Sequence, residues 1–189
     1  LLDGNRGHSS IRSTSSSRIF IGATKDITSG PALSGGAYIE GAGHCHGVGV
    51  TQTSIGAVLW NNELGLDSFV EMHGGQPRAT LVDCSSGAFK KGSQGGSPEA
   101  LPNHLADLTI WNYRSTNNLS GEFTWWNGGW RFLPPVIVGL HGNASGITFP
   151  EGSYATDSCR GQEVEPKSLY ESQLKARLGY VPAWLLSLK

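Results

Sequence analysis

The sequence predicts an all-β fold: a right-handed parallel β-helix of few coils, with an aromatic hairpin insertion and a helical C-terminal cap. Three observations carry this. A β-prone run closed by Asn or Asp occurs three times, as Ala57-Val58-Leu59-Trp60-Asn61, Ala79-Thr80-Leu81-Val82-Asp83 and Leu108-Thr109-Ile110-Trp111-Asn112. The copies start 22 and then 29 residues apart (57 to 79, 79 to 108), and such a return is how stacked repeats are written into a chain. Glycine is abundant, 27 of 189 residues, about twice the usual share of roughly 7%. Helical periodicity is absent before residue 160.

Residues 1–18 are Ser- and Arg-rich without an apolar period, which reads as an N-terminal arm or a severed link to missing upstream coils of a longer chain. The repeat domain is expected over residues 19–160. Its β-prone runs are Ile19-Phe20-Ile21, Gly47 to Val50, Ile55 to Trp60, Phe69 to Met72, Ala79 to Val82, Leu105 to Trp111 and Pro135 to Val138. In the aligned copies, Ala57/Leu59, Ala79/Leu81 and Leu108/Ile110 form a uniformly apolar set suited to the interior. Leu59, Leu81 and Ile110 should therefore stack. Trp60 and Trp111 then face outward. Asn61, Asp83 and Asn112 follow at the turn, where a polar ladder can satisfy backbone groups. An insertion at about 114–133 carries Phe123, Trp125, Trp126, Trp130 and Phe132 around Asn127-Gly128-Gly129, the pattern of a hairpin. Over residues 161–189, Pro166-Lys167-Ser168 starts a helix and Gly179 stops it, with Leu169, Tyr170, Leu174 and Leu178 between at helical spacing. That helix is a candidate cover for a strand edge.

Composition excludes several classes. With 14 basic and 15 acidic residues, no charge excess points to nucleic acid or to an anionic membrane. The longest apolar runs fall well short of the ~18 residues of a membrane span. No phosphate-cradling loop, nucleophile elbow or zinc-protease helix is present. Cys45, Cys84 and Cys159 allow at most one disulfide. The sequons at Asn118 and Asn143 agree with a secreted or cell-surface chain carrying glycans.

Leu101-Pro102-Asn103-His104-Leu105 through Trp111-Asn112-Tyr113, Leu133-Pro134-Pro135-Val136-Ile137-Val138-Gly139-Leu140-His141-Gly142 and Val164-Glu165-Pro166-Lys167-Ser168-Leu169-Tyr170 carry a family resemblance. Over roughly residues 40–189 the chain resembles a C-terminal domain of unassigned function found in large secreted bacterial parallel β-helix proteins linked with polysaccharide use. The resemblance implies the fold and secretion, and it assigns no catalytic residue.

Four groups of residues could carry chemistry. Phe69, Glu71 and His73 share a face opposite Val70 and Met72. They supply an aromatic ring, a carboxylate and an imidazole, with Glu71 and His73 as the catalytic pair of a polysaccharide hydrolase or lyase. The same residues also suit a solvated face with Arg78 as ion-pair partner. His44 and His46, at i and i+2 of an extended chain, could seat a divalent metal with a carboxylate from elsewhere. Trp60, Trp125, Trp126 and Trp130 offer flat apolar faces with an N–H donor, suited to a pyranose ring. Asp83 reads as a ladder residue, and His104 and His141 as hydrogen-bonding structural residues. The expected function is an extracellular module that binds or helps process a polysaccharide. The alternative is a self-assembling subunit of an extracellular fibre or sheath, whose partner is a copy of itself bound through the N-terminal arm.

Overall fold

A computed structural model describes residues 1–32, 35–89, 102–123, 133–143 and 146–189. The chain is mostly short strands in parallel sheets. The largest sheet contains β2 (Ser17–Gly22), β4 (Ile55–Trp60), β6 (Arg78–Asp83), β8 (Leu108–Trp111), β11 (Val136–Val138) and β14 (Thr156–Ser158), in the order β14-β11-β8-β6-β4-β2. A second sheet joins β1 (Ile11–Thr14), β3 (Val48–Thr51) and β5 (Glu71–Met72). A third joins β7 (Ser86–Gly87), β9 (Arg114–Ser115) and β12 (His141–Gly142). The fourth pairs β10 (Ser120–Glu122) with β13 (Gly146–Thr148).

The expected right-handed β-helix is thereby corrected. Neither a closed barrel nor a single regular solenoid forms among the described residues. The described strands divide among four parallel sheets of six, three, three and two members. The predicted stack is also broken, because Leu59 pairs with Val82, and Val82 with Ile110. Leu81 lies one position off, between Val58 and Thr109. The repeats do encode parallel pairing, but they are regular only within these runs. Outside them segment lengths vary, and the remaining strands are two to four residues long.

The backbone explains the shifted register. The residues that follow the paired positions Gly22, Trp60, Asp83, Trp111, Val138 and Ser158 are Ala23, Asn61, Cys84, Asn112, Gly139 and Cys159. All six have φ between +37° and +69°. Each strand thus leaves the sheet through a left-handed residue at the same level, a conformation that Asn and Gly adopt at least cost. At Gly139 the requirement is also steric, since a Cβ there would sit 2.2 Å from Asn112 Oδ1.

Ala57, Leu59, Val82, Leu108, Ile110 and Ile137 turn inward and meet Val48, Val50, Val70, Met72, Phe89, Phe123 and Ile147 in one core. Phe123 stacks on Phe89 at 4.6 Å between ring centroids. The tip of the expected aromatic hairpin lies outside the described residues. Its described lead-in, β10, pairs in parallel with β13 rather than as a hairpin arm.

The other face of the six-stranded sheet is covered by α1 (Leu169–Leu178) and the short α2 (Ala183–Leu186). Ser168 caps α1 by accepting from Glu171 N, and Gly179 ends it in the left-handed conformation at φ +82°. Leu174 and Leu185 pack on Trp60, with Phe20, Val58 and Tyr170 around them. The helices therefore cover a sheet face rather than a strand edge. Complete burial of the Trp60 ring contributes about 4–6 kcal/mol as an upper bound.

Residues 1–18 are not a free arm. β1 pairs with β3, β2 pairs with β4, and Leu2 and Asn5 bridge to Asp26 and Ser29. The strand that a fibre contact was expected to donate is thus already paired on one side.

Candidate functional site

Parallel register builds a charged cluster over the second sheet. Arg12 of β1 aligns with Gly49 of β3, and Gly49 with Glu71 of β5. Gly49 carries no side chain, so the Arg12 side chain crosses it, with Cγ and Nε each 3.8 Å from where a Cβ would stand. Val70 and Met72 enter the core as expected, which leaves Phe69, Glu71 and His73 on the opposite face. Arg12 Nη2 donates to Glu71 Oε2 at 2.8 Å, and His73 Nδ1 donates to Oε1 at 2.7 Å. His46 Nδ1 lies 3.0 Å from the same Oε1 but off the line of a hydrogen bond, so this buried nitrogen has no aligned partner. The His8 ring sits 4.2 Å from that of His46, and His46 also meets Phe69 edge-on at 5.5 Å.

Glu71 has no exposed surface, while the His73 side chain is 38% exposed. Burial alone pushes the Glu71 carboxyl up. The close His46 imidazole and the hydrogen bond from His73 outweigh it and hold the group below the usual carboxylate range. Burial, and then the neighbouring His46, lower His8 from its ordinary value. The expectation of Glu71 as an acid/base residue is corrected, because a fully buried carboxylate cannot reach a glycosidic oxygen. It orients imidazoles instead, and His8 and His73 are more open to solvent than the carboxylate they surround.

The expected metal pair His44/His46 is corrected too. The i, i+2 rule assumed an extended chain, but Gly47 N donates to His44 O at 3.2 Å, and this turn separates the two rings. His44 is held by Asp26, whose Oδ2 accepts from His44 Nδ1 and from its backbone N, each at 2.8 Å. His46 instead joins His8 and Glu71, whose ligand atoms lie within 4.8 Å of one another.

Trp60 fails as a sugar platform for a similar reason. It is fully buried under the C-terminal helices, and its Nε1 donates to Ser168 Oγ at 3.3 Å. Trp125, Trp126 and Trp130 lie outside the described residues. Asn118 and Asn143 are both exposed. All three cysteines are free thiols, and burial pushes that of Cys84 up to about 12.

A second feature, which the sequence reading did not assemble, is a polar cleft of about 210 Å³. It opens where the chain leaves the six-stranded sheet. Asn61, Cys84 and Asn112 line it at the left-handed turn, with Ser86, Arg114 and His141 beside them and Glu63, Glu163 and Lys167 completing the lining. Ser86, Arg114 and His141 are in register on adjacent strands, so their spacing is that of neighbouring strands, about 4.8 Å. Arg114 and Lys167 are exposed and form no ion pair among the described residues. His141 Nδ1 donates to Gly139 O at 2.8 Å. Nε2 lies 3.3 Å from Glu163 Oε1 without hydrogen-bond alignment.

A family model matches residues 43–188, and its description is a domain of unknown function, DUF4955. The chain belongs to this family. His46, Glu71, His73 and the whole polar cleft fall inside the matched DUF4955 region, whereas His8 and Arg12 precede it. No curated protein and no solved structure matches the chain. No described helix is long and apolar enough to cross a membrane.

Proposed function

We propose that this domain is an extracellular module that binds an acidic polysaccharide, with one charged sugar residue seated in the polar cleft. The observation that carries the reading is the in-register row Ser86–Arg114–His141, which with Lys167 lines a cleft of about 210 Å³. Two cations without ion-pair partners among the described residues suit a carboxylate, and a guanidinium can hold one through two parallel hydrogen bonds. The amide of Asn61 and the hydroxyl of Ser86 offer the mixture of donors and acceptors that sugar hydroxyls need. The volume is below the roughly 300–1,000 Å³ of sites for drug-sized ligands, so it suits a single ring. The resemblance to proteins linked with polysaccharide use supports the same reading.

Calorimetric titration with oligogalacturonate and with an uncharged cello-oligosaccharide of equal length tests it. The acidic ligand is expected to bind, with affinity falling as salt is raised. Arg114→Ala and Lys167→Ala should each weaken it about tenfold, the effect of losing roughly 1.4 kcal/mol. Equal binding of both sugars, or acidic-sugar binding unchanged in both variants, would refute the cleft as the site.

A further inference from the structure

We propose that His8, His46 and Glu71 form a binding site for one divalent transition-metal ion of the zinc type. This inference rests on the cluster beside β5 and is independent of the polysaccharide reading, whose residues lie in the cleft. The three side chains offer ligand atoms within 4.8 Å of one another. Bonds of 2.0–2.2 Å in a tetrahedral arrangement place ligand atoms about 3.3–3.5 Å apart. The His46 Nδ1 to Glu71 Oε1 edge, at 3.0 Å, is already near that length. His8 is exposed, and its ring already lies against that of His46, 4.2 Å between centroids.

Two further features set this cluster apart from an ordinary ion pair. His46 Nδ1 is buried and has no aligned hydrogen-bond partner, which is costly for a polar atom unless something else uses its lone pair. The Glu71 carboxylate is fully buried and fixed from two sides, by Arg12 on Oε2 and His73 on Oε1. Such outer contacts orient a metal-ligating carboxylate. The backbone positions the two histidines as a unit, because His46 N donates to His8 O at 2.8 Å. Two imidazoles and one carboxylate favour zinc and its neighbours over calcium or magnesium, which take oxygen ligands. Three protein ligands leave a fourth position for an exchangeable water, as in other zinc sites of this ligand count.

Equilibrium dialysis of the full chain against Zn²⁺, with Ca²⁺ and Mg²⁺ as comparison ions, tests the site. One Zn²⁺ per chain is expected, with no comparable uptake of Ca²⁺ or Mg²⁺, and its binding should raise the midpoint of thermal unfolding. His8→Ala removes an exposed ligand without opening the core and should weaken Zn²⁺ binding at least tenfold. His46→Ala should do the same. Cys45→Ser should leave binding unchanged, and Co²⁺ substituted for Zn²⁺ should show no thiolate charge-transfer band. Binding that survives His8→Ala at full affinity, or is lost in Cys45→Ser, overturns the assignment. Absence of any stoichiometric Zn²⁺ uptake overturns it as well. Oligosaccharide titration of the same His8→Ala protein separates this result from the polysaccharide reading, since the cleft is intact in that variant.

Discussion

Asp83→Ala will release the C-terminal helix from the six-stranded sheet, at a cost of about 2–3 kcal/mol in folding free energy. Asp83 is fully buried on the outer face of β6. Its carboxylate accepts from Ser168 Oγ at 2.5 Å and from the backbone N of Leu169 and Tyr170, each at 3.0 Å. One side chain thus serves the first turn of α1 and ties it to the sheet. Burial holds the Asp83 carboxyl above its usual value despite these bonds, so its own desolvation offsets part of what they contribute. The expected cost is for that reason below the sum of three charged hydrogen bonds. A ten-residue helix is marginal on its own, and without the anchor Trp60 and Cys84 lose their cover. The Cys84 thiol is raised to about 12 by burial first and by the Asp83 charge second, against an ordinary 9.0. Both causes vanish in the variant. In a Cys45→Ser/Cys159→Ser background, reaction of Cys84 with a disulfide reagent should speed up at least tenfold. Asp83→Asn keeps the shape and one acceptor and should lie between. If denaturant unfolding and thiol reactivity of Asp83→Ala both match the parent, the anchoring role is wrong.

Asp83 also shows where the sequence misled. The three repeats close on Asn61, Asp83 and Asn112 because Asn and Asp are the residues expected at a turn. The backbone aligns Asn61, Cys84 and Asn112 instead, each in the left-handed conformation. Cysteine gives no signal for that conformation, so the alignment slipped by one residue at β6 and moved Leu81 from the outer face to the core. A slip of one residue in a strand exchanges its two faces. Parallel pairing survived the slip because it depends on the existence of the repeats rather than on their register. The C-terminal helix was legible for the opposite reason. Its signals, Ser168 before and Gly179 after, are local and act within one turn.

The cluster divides along the same line. Glu71 and His73 were found because alternation along one strand is a property of neighbours in sequence. Arg12 lies 59 residues from Glu71, inside a Ser-rich stretch with no apolar period, and only strand register carries it there. His8 arrives by the same route. The cleft draws on the exits of several strands and on Glu163 and Lys167 beyond them, so no spacing rule could have gathered its residues.

Mild acid will weaken the fold through His104, before Glu71 and Asp26 are protonated. His104 is fully buried. Its Nδ1 donates to Leu105 O at 2.8 Å, which leaves Nε2 to accept from Thr80 Oγ1 at 2.9 Å. Both ring nitrogens are satisfied in the neutral tautomer, and a proton on Nε2 would remove the acceptor and place a charge in a fully buried site. Burial therefore lowers this imidazole from 6.5 to about 4. In the unfolded chain it takes its proton near 6.5, so between these values the unfolded state binds more protons. The contribution is fully present above about pH 6.5, is lost as pH falls towards 4, and changes little below that. At about 1.4 kcal/mol per pH unit, the loss across the window is roughly 3 kcal/mol. Glu71 and Asp26 are held below their ordinary 4.5 and 3.8, so the stability they provide is lost at lower pH. Urea unfolding at pH 7.5, 5.5 and 4.5 should show the decline in the parent and a flatter profile in His104→Gln, whatever that variant's stability at pH 7.5. Parallel pH profiles for the two proteins would rule out His104 as the group responsible.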